Sequence, residues 1–383
     1  MPMRYLLYAG LALIVLPLAG FGLWLAALPA TPAAFSPVPV PQAEDDAILP
    51  ALKPPKRARP LVAVVGINDA TETTDYLMPT GILRRADIAD VVTLSIKPGP
   101  VKLYPALTVE ADATIEAFDA RHPEGADYVI VPAMSRDDDP AVATWLRRQA
   151  KDGAVIIAIC AGAKVVAAAG LLDGRRATTH WYYVRNLLRR HPTVRYVADR
   201  RMVVDRGVGT TTGITASMPM MLTLVEAIAG RDKAEAVAGD LGLARWDARH
   251  DSGAFKLARP FAMTVLANSL SFWNRDRFGI ALEPGMDEVS LALVADAWSR
   301  TYRSRVELFA ASPAAVTTRS GVRFLPDRVT AAWSGDRLSL GHTNERPAEI
   351  LDNALQNIGA RYGQDTARVV AMQLEYPQRG AGL

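Results

Sequence analysis

Apolar runs and polar, turn-forming stretches alternate along this chain in a regular way. LVAVVGI, beginning at Leu61, is a continuous apolar run of the kind that fills a strand buried on both faces, and the polar NDATETTD after it reads as a loop at the strand's carboxyl end. The pattern then predicts a helix over Tyr76 to Ala86 with Pro79 in its first turns, a strand over Val91 to Ile96 and a helix over Ala111 to Asp119. A short strand over Tyr128 to Val131, a helix over Ala141 to Asp152 and a strand over Val155 to Ile159 follow. Strands that alternate with helices predict an α/β fold, a mostly parallel sheet covered by helices on both faces. In such sheets, sites gather at the carboxyl ends of the strands.

One strand ends differently from the rest. Ala154 to Ile159 breaks at Cys160-Ala161-Gly162 into an Ala/Val run of helical character, giving a strand, a sharp turn and a helix. Such an elbow presents its apical side chain at a helix start, where free N–H groups favour a thiolate. The geometry resembles the nucleophile elbow of the α/β-hydrolases with Cys in place of Ser. The competing reading, a lone cysteine buried as a small hydrophobe, is weakened by Ala158, Ala161 and Gly162, which leave room around the sulfur. Asp75 follows the first strand and Ser135 to Asp139 follow the Tyr128 strand, so both can converge on the crevice beside Cys160. His180, after a short strand expected at Ala177 to Thr179, can also reach the rim.

Composition narrows the choice of partners. At 383 residues the chain suggests about two domains. A net charge of +3 is too small to imply a nucleic-acid partner, and one cysteine excludes an internal disulfide and a thiolate-cluster metal site. No cofactor is expected. From Tyr5 to Leu28 there is no charge, which predicts a transmembrane helix within residues 1–30. Its length favours an uncleaved anchor over a signal peptide, although the Ala-rich exit around residues 30–34 keeps cleavage open. Arg4 on the N-terminal side favours a single-pass protein with the rest of the chain outside the cytoplasm, on the periplasmic side in a bacterium. Residues 31–60, rich in Pro and Ala, suit an extended linker, with a basic run from Lys53 to Arg59 that reads mainly as solvated.

Several segments in order carry a specific resemblance. TETTDYLMPTGILRRA, AICAGAKVVAAAGLLDGRRATTHW and GVGTTTGITASMPMMLTLVEAIAG make residues 61–243 resemble the ThiJ/PfpI (DJ-one) superfamily of class I glutamine-amidotransferase-like folds. The nearest subgroup is the one found in AraC-type regulators and isonitrile hydratases. The resemblance implies a flavodoxin-like parallel sheet sandwiched by helices, with Cys160 as nucleophile, Asp75 as its acidic partner and His180 downstream. Ala161 stands where the isonitrile hydratases carry a Thr that takes part in their reaction, which argues against that activity.

The remainder reads as a helical connector, residues 244–275, and a degenerate, shortened half copy of the first domain, residues 276–383. Arg277 to Trp333 tracks Val62 to Phe118 at a constant offset of 215, and Gly363 onward tracks Gly230 onward at 133, so 82 residues containing the elbow are missing. Ser290 stands in the place of Asp75. A copy without a nucleophile would cover the first domain, as a pseudo-dimer within one chain or alongside a true dimer. Three functions remain open. In the first, an enzyme, Cys160 attacks a small electrophilic substrate, the N–H groups of Ala161 and Gly162 hold the developing negative charge, and His180 or Asp75 moves the proton. The second is a ligand or oxidant sensor, and the third a membrane-tethered scaffold.

Overall fold

A computed structural model describes residues 3–30, 35–340 and 345–377. At its centre a seven-stranded sheet runs in the order Met202–Asp205, Val208–Thr211, Val155–Ala158, Tyr128–Val131, Leu61–Gly66, Asp90–Ser95 and Ala113–Thr114. Its pairs are parallel except the hairpin of Met202–Asp205 with Val208–Thr211. Numbered along the chain, the five inner parallel strands stand in the order 2-1-3-4-5, the flavodoxin-like arrangement. Leu61–Gly66 is buried throughout because its residues serve two cores: Val62 and Val64 pack on one face, Ala63 and Val65 on the other. That division explains an apolar run without alternation.

Some elements differ from expectation. The helix expected from Ala111 starts instead at Ile115, because Thr114 caps it with its hydroxyl accepting the Ala117 N–H at 3.1 Å. The residues before it are drawn along the sheet edge, where the Asp112 carboxylate accepts from the Thr93 N–H and hydroxyl at 2.7 and 2.6 Å. In the connector only Arg259–Leu270 is α-helical. Residues 42–60 do not hang free: Gln42–Ala51 forms a helix, Ile48 and Leu52 enter the core, and Arg57 pairs with buried Asp127 at 2.6 Å. The basic run is thereby tied to the body.

The N-terminal expectation is overturned. Residues Met3–Ala27 form a helix, but among the described residues no helix is long and apolar enough to cross a membrane. The side chains of residues 3–12, 14 and 18, and the whole of residues 31–34 at the proposed cleavage exit, lie outside the described residues. The end of the helix is instead fastened to the body by Arg259, whose guanidinium donates to the carbonyls of Leu25, Ala26 and Leu28 at 3.2, 2.8 and 3.3 Å. A single-pass membrane protein, and with it a body placed outside the cytoplasm, is not supported.

The second half contributes a smaller parallel sheet of Asp276–Ala281, Ser304–Ala310 and Arg328–Val329. Among the contacts that join it to the first, two involve whole elements. Arg323–Phe324 lies antiparallel to Thr108–Glu110, so a five-stranded sheet crosses between the halves, with Phe324 fully buried. The helix Glu288–Ser299 packs on the helix Thr73–Ala86. Gly81 sits at that crossing, where a Cβ would come within 2.6 Å of Glu288 Oε1 and 2.8 Å of Val289 Cγ2. Gly239, in the exposed part of the helix Arg231–Leu241, has nothing within 4 Å. Gly81→Ala is therefore expected to destabilise by about 1–3 kcal/mol through overpacking, whereas Gly239→Ala should stabilise by up to about 1 kcal/mol. Urea unfolding of both variants checks the packing; a stabilised Gly81→Ala would contradict it.

Candidate active site

Each bond around Cys160 has a visible origin in the sheet. The Ile159 N–H donates to Val131 O at 3.0 Å, the Cys160 N–H to Thr211 Oγ1 at 3.1 Å, and Thr179 Oγ1 to Cys160 O at 3.0 Å. Held from three sides, Cys160 adopts φ +55°, a left-handed conformation that costs a non-glycine residue about 1–3 kcal/mol. At Gly162, which opens the helix Gly162–Ala168, a Cβ would collide with the Val131 carbonyl. Glycine alone lets the helix start this close to the neighbouring strand. The Gly162 N–H is engaged with Ile159 O at 2.7 Å, while the Ala161 N–H faces the sulfur. Cys160 is only 4% exposed. Burial pushes its thiol well above the ordinary range, the charges of Asp75 and Glu72 add to that, and the Ala161 N–H opposes them.

Two carboxyls share this pocket. Glu72 caps the helix Thr73–Ala86, its Oε2 accepting from the Asp75 N–H at 2.6 Å and from Thr74 Oγ1 at 2.9 Å. Asp75 Oδ2 accepts from the Ala133 N–H at 3.0 Å, and its buried Oδ1 has no hydrogen-bond partner among the described residues. Burial raises Asp75 to about 7 against the pull of the Ala133 N–H and of Arg300. Burial, followed by the charges of Asp75 and Asp296, lifts Glu72 well above the usual carboxylate range.

The opposing charge comes from the second half. Arg300 reaches Glu72 Oε1 at 2.7 Å and Asp296 Oδ2 at 2.6 Å. Burial works against its charge, but Asp296 and Glu72 outweigh that and hold it protonated.

His180 is placed differently. Its Nδ1 accepts from the Tyr182 N–H at 3.2 Å, which assigns the proton to Nε2, 3.0 Å from Gln373 O. Both ring nitrogens are thus engaged, and burial lowers its pKa, so the ring is neutral. Ser135 to Asp139 stand apart from the thiol: Asp137 is held by Lys164 at 2.5 Å and Arg190 at 2.9 Å.

Sequence reasoning missed Glu72, Arg300 and Glu375. Glu375 arrives from the last helix's end, pairs with His250 at 3.0 Å and accepts from the Trp181 N–H at 3.4 Å, next to His180. Arg300 meets Glu72 across 228 positions and Glu375 meets Trp181 across 194, and neither had a signal in its own segment. Among the described residues no cluster of three or more His, Cys, Asp or Glu is disposed to hold a metal ion.

A flavodoxin-like sheet with a cysteine on a left-handed strand-to-helix elbow, beside a buried acid pair, defines an α/β protein with a thiol site. Residues 62–227 match the DJ-1/PfpI family. That stretch of the chain is a DJ-1/PfpI family domain. Among curated relatives, the HTH-type transcriptional regulator CdhR of Pseudomonas aeruginosa is 30% identical over 210 residues, covering 54% of this chain and 59% of the regulator. Isonitrile hydratase of Pseudomonas putida is 34% identical over 149 residues, 39% of this chain and 60% of the hydratase. The chain thus spans about three fifths of the length of these two relatives. A solved DJ-1 superfamily protein from Salmonella typhimurium is 27% identical with a TM-score of 0.43, over 49% of this chain and all of that one.

The acid pair makes stability depend on pH. Asp75 keeps its proton up to about pH 7 in the fold but only to about pH 4 when unfolded, so the native state binds the extra proton in between. Stability is therefore expected to fall as pH rises from about 4 through 7. Asp75→Asn should remove that part of the slope. Urea midpoints measured from pH 4.5 to 7.5 test this; parallel slopes for both proteins would refute it.

Proposed function

We propose that the chain is a Cys160-dependent enzyme of hydrolase, hydratase or lyase type acting on a small electrophilic substrate, with Asp75 moving the proton. The observation that carries this reading is the unpartnered, buried Asp75 Oδ1 on a carboxyl that titrates at about 7, electrostatically coupled to the thiol. A carboxyl poised near neutral pH suits a general base. On an aldehyde, the Cys160 thiol proton passes to Asp75 as the S–C bond forms, and the carbonyl π pair moves to oxygen. The Ala161 N–H meets that oxygen, and Asp75 returns the proton to it, leaving a thiohemiacetal. His180, with both nitrogens engaged, positions the Trp181–Tyr183 turn and stays outside the proton path. The resting Cys160 thiol, buried and held protonated, suits concerted deprotonation better than oxidant sensing, which needs an exposed thiolate.

In the same reading, residues 276–383 are a degenerate half copy and the chain is a pseudo-dimer. Asp276–Ala281 and Arg328–Val329 stand 215 residues after Leu61–Gly66 and Ala113–Thr114, and the helices flanking Gly363 repeat those flanking Gly230. The contacts reciprocate: Arg85 meets Asp287 as Arg300, its counterpart, meets Glu72. The partner is then a small molecule, and the second half serves to complete the site.

A panel of glyoxals, amides and isonitriles given to the purified chain tests the assignment. Cys160→Ser should abolish turnover, and Asp75→Asn should lower it by about 10²–10⁴-fold and remove a rate limb that rises near pH 7. No Cys160-dependent turnover on any of them, with saturable binding retained by Cys160→Ser, would replace the enzyme reading with a ligand sensor. CdhR, by its name, is a transcriptional regulator.

A further inference from the structure

A cavity of about 560 Å³, within the range of small-ligand sites, opens between the second half and Tyr104 and Pro105 of the first. Four arginines line it: Arg275, Arg277, Arg300 and Arg305. Arg300 is neutralised by Glu72 and Asp296. The carboxylate in the wall, Asp276, is already held by Arg361 at 2.8 Å and by the Tyr362 hydroxyl at 2.5 Å. Arg275, Arg277 and Arg305 have no ion-pair partner among the described residues. Arg277 and Arg305 are also register neighbours on the parallel strands Asp276–Ala281 and Ser304–Ala310, so their side chains leave the same face side by side. Like charges so placed repel, and nothing in the wall offsets them. An anion between them would.

Two aromatic rings also line the cavity. Trp273 and Phe272 line the cavity while 75% and 65% exposed, edge to face with centroids 4.9 Å apart. Guanidinium forks match the oxygens of carboxylates and phosphates, and an indole face covers a planar body. We propose that this cavity binds a small organic anion, a carboxylate or phosphate monoester on a flat apolar body, with Arg277 and Arg305 gripping the anion and Trp273 covering the body. Its floor is shared with the thiol site, since Arg300 and Gln373 line the cavity and hold Glu72 and His180. Binding here does not rest on Cys160 being a nucleophile.

The full chain is titrated with phenyl phosphate, benzoate, inorganic phosphate and benzyl alcohol, by calorimetry and by tryptophan fluorescence. At least one aromatic anion is expected to bind tenfold or more tightly than both inorganic phosphate and benzyl alcohol, and more weakly as salt rises. Which of the two aromatic anions prevails separates phosphate from carboxylate. The Arg277→Gln/Arg305→Gln double variant should lose at least tenfold in affinity, with an unchanged or higher unfolding temperature because the repulsion is gone. Trp273→Phe should abolish the fluorescence change. If the double variant fails to fold, Arg305→Lys, which keeps the charge and loses the fork, should still weaken binding. The proposal is overturned by equal binding of inorganic and phenyl phosphate, by binding of neither aromatic anion, or by unchanged affinity in the arginine variants. Binding only of a thymidine oligonucleotide would overturn it in favour of a single-strand surface.

Discussion

Glu72 and Asp75 lie one helical turn apart in a pocket closed to water, and a single guanidinium faces them. Two adjacent carboxyls in low dielectric cannot both ionise cheaply, and burial raises both. Arg300, bonded to Glu72, opposes that rise at both carboxyls. The charges of both carboxyls raise the Cys160 thiol, so its electrostatics depend on a residue from the other half of the chain.

The backbone imposes a second constraint that works with the first. Parallel strands deliver the loops after Leu61–Gly66, Tyr128–Val131 and Val155–Ala158 to one edge, which brings the Ala133 N–H to Asp75 and the elbow to both. The elbow closes only because position 162 has no side chain to strike the Val131 carbonyl, and because Thr211 and Thr179 bind the Cys160 amide and carbonyl. Strain in the backbone at Cys160 is thus balanced by bonds from three separate segments.

Much of this was legible along the chain. The unbroken run at Leu61 announced a doubly buried strand, Cys160-Ala161-Gly162 announced a sharp turn, and the order of motifs pointed to Asp75. These features are local. The start of the helix at Ile115 depended on one hydroxyl competing for an amide, which periodicity does not register. The expectation for the N-terminal segment weighed only its own apolar residues and left out Arg259, more than two hundred positions away. Glu72 looked like loop polarity until the Asp75 amide gave its carboxylate a capping role. The engagement of His180 with Gln373 and the arrival of Glu375 are meetings between distant segments with no trace in either one.

Arg300 and Glu72 belong to the same polypeptide, and that has a consequence for how the site responds to dilution. Two separate chains meeting through such an ion pair would come apart at low concentration, and the carboxyl pair would lose its counter-charge as they did. Here the encounter is unimolecular, and the effective concentration of one half at the other stays in about the millimolar range or above whatever the amount of protein in solution. The proton balance beside Cys160 is therefore the same in a scarce protein as in an abundant one.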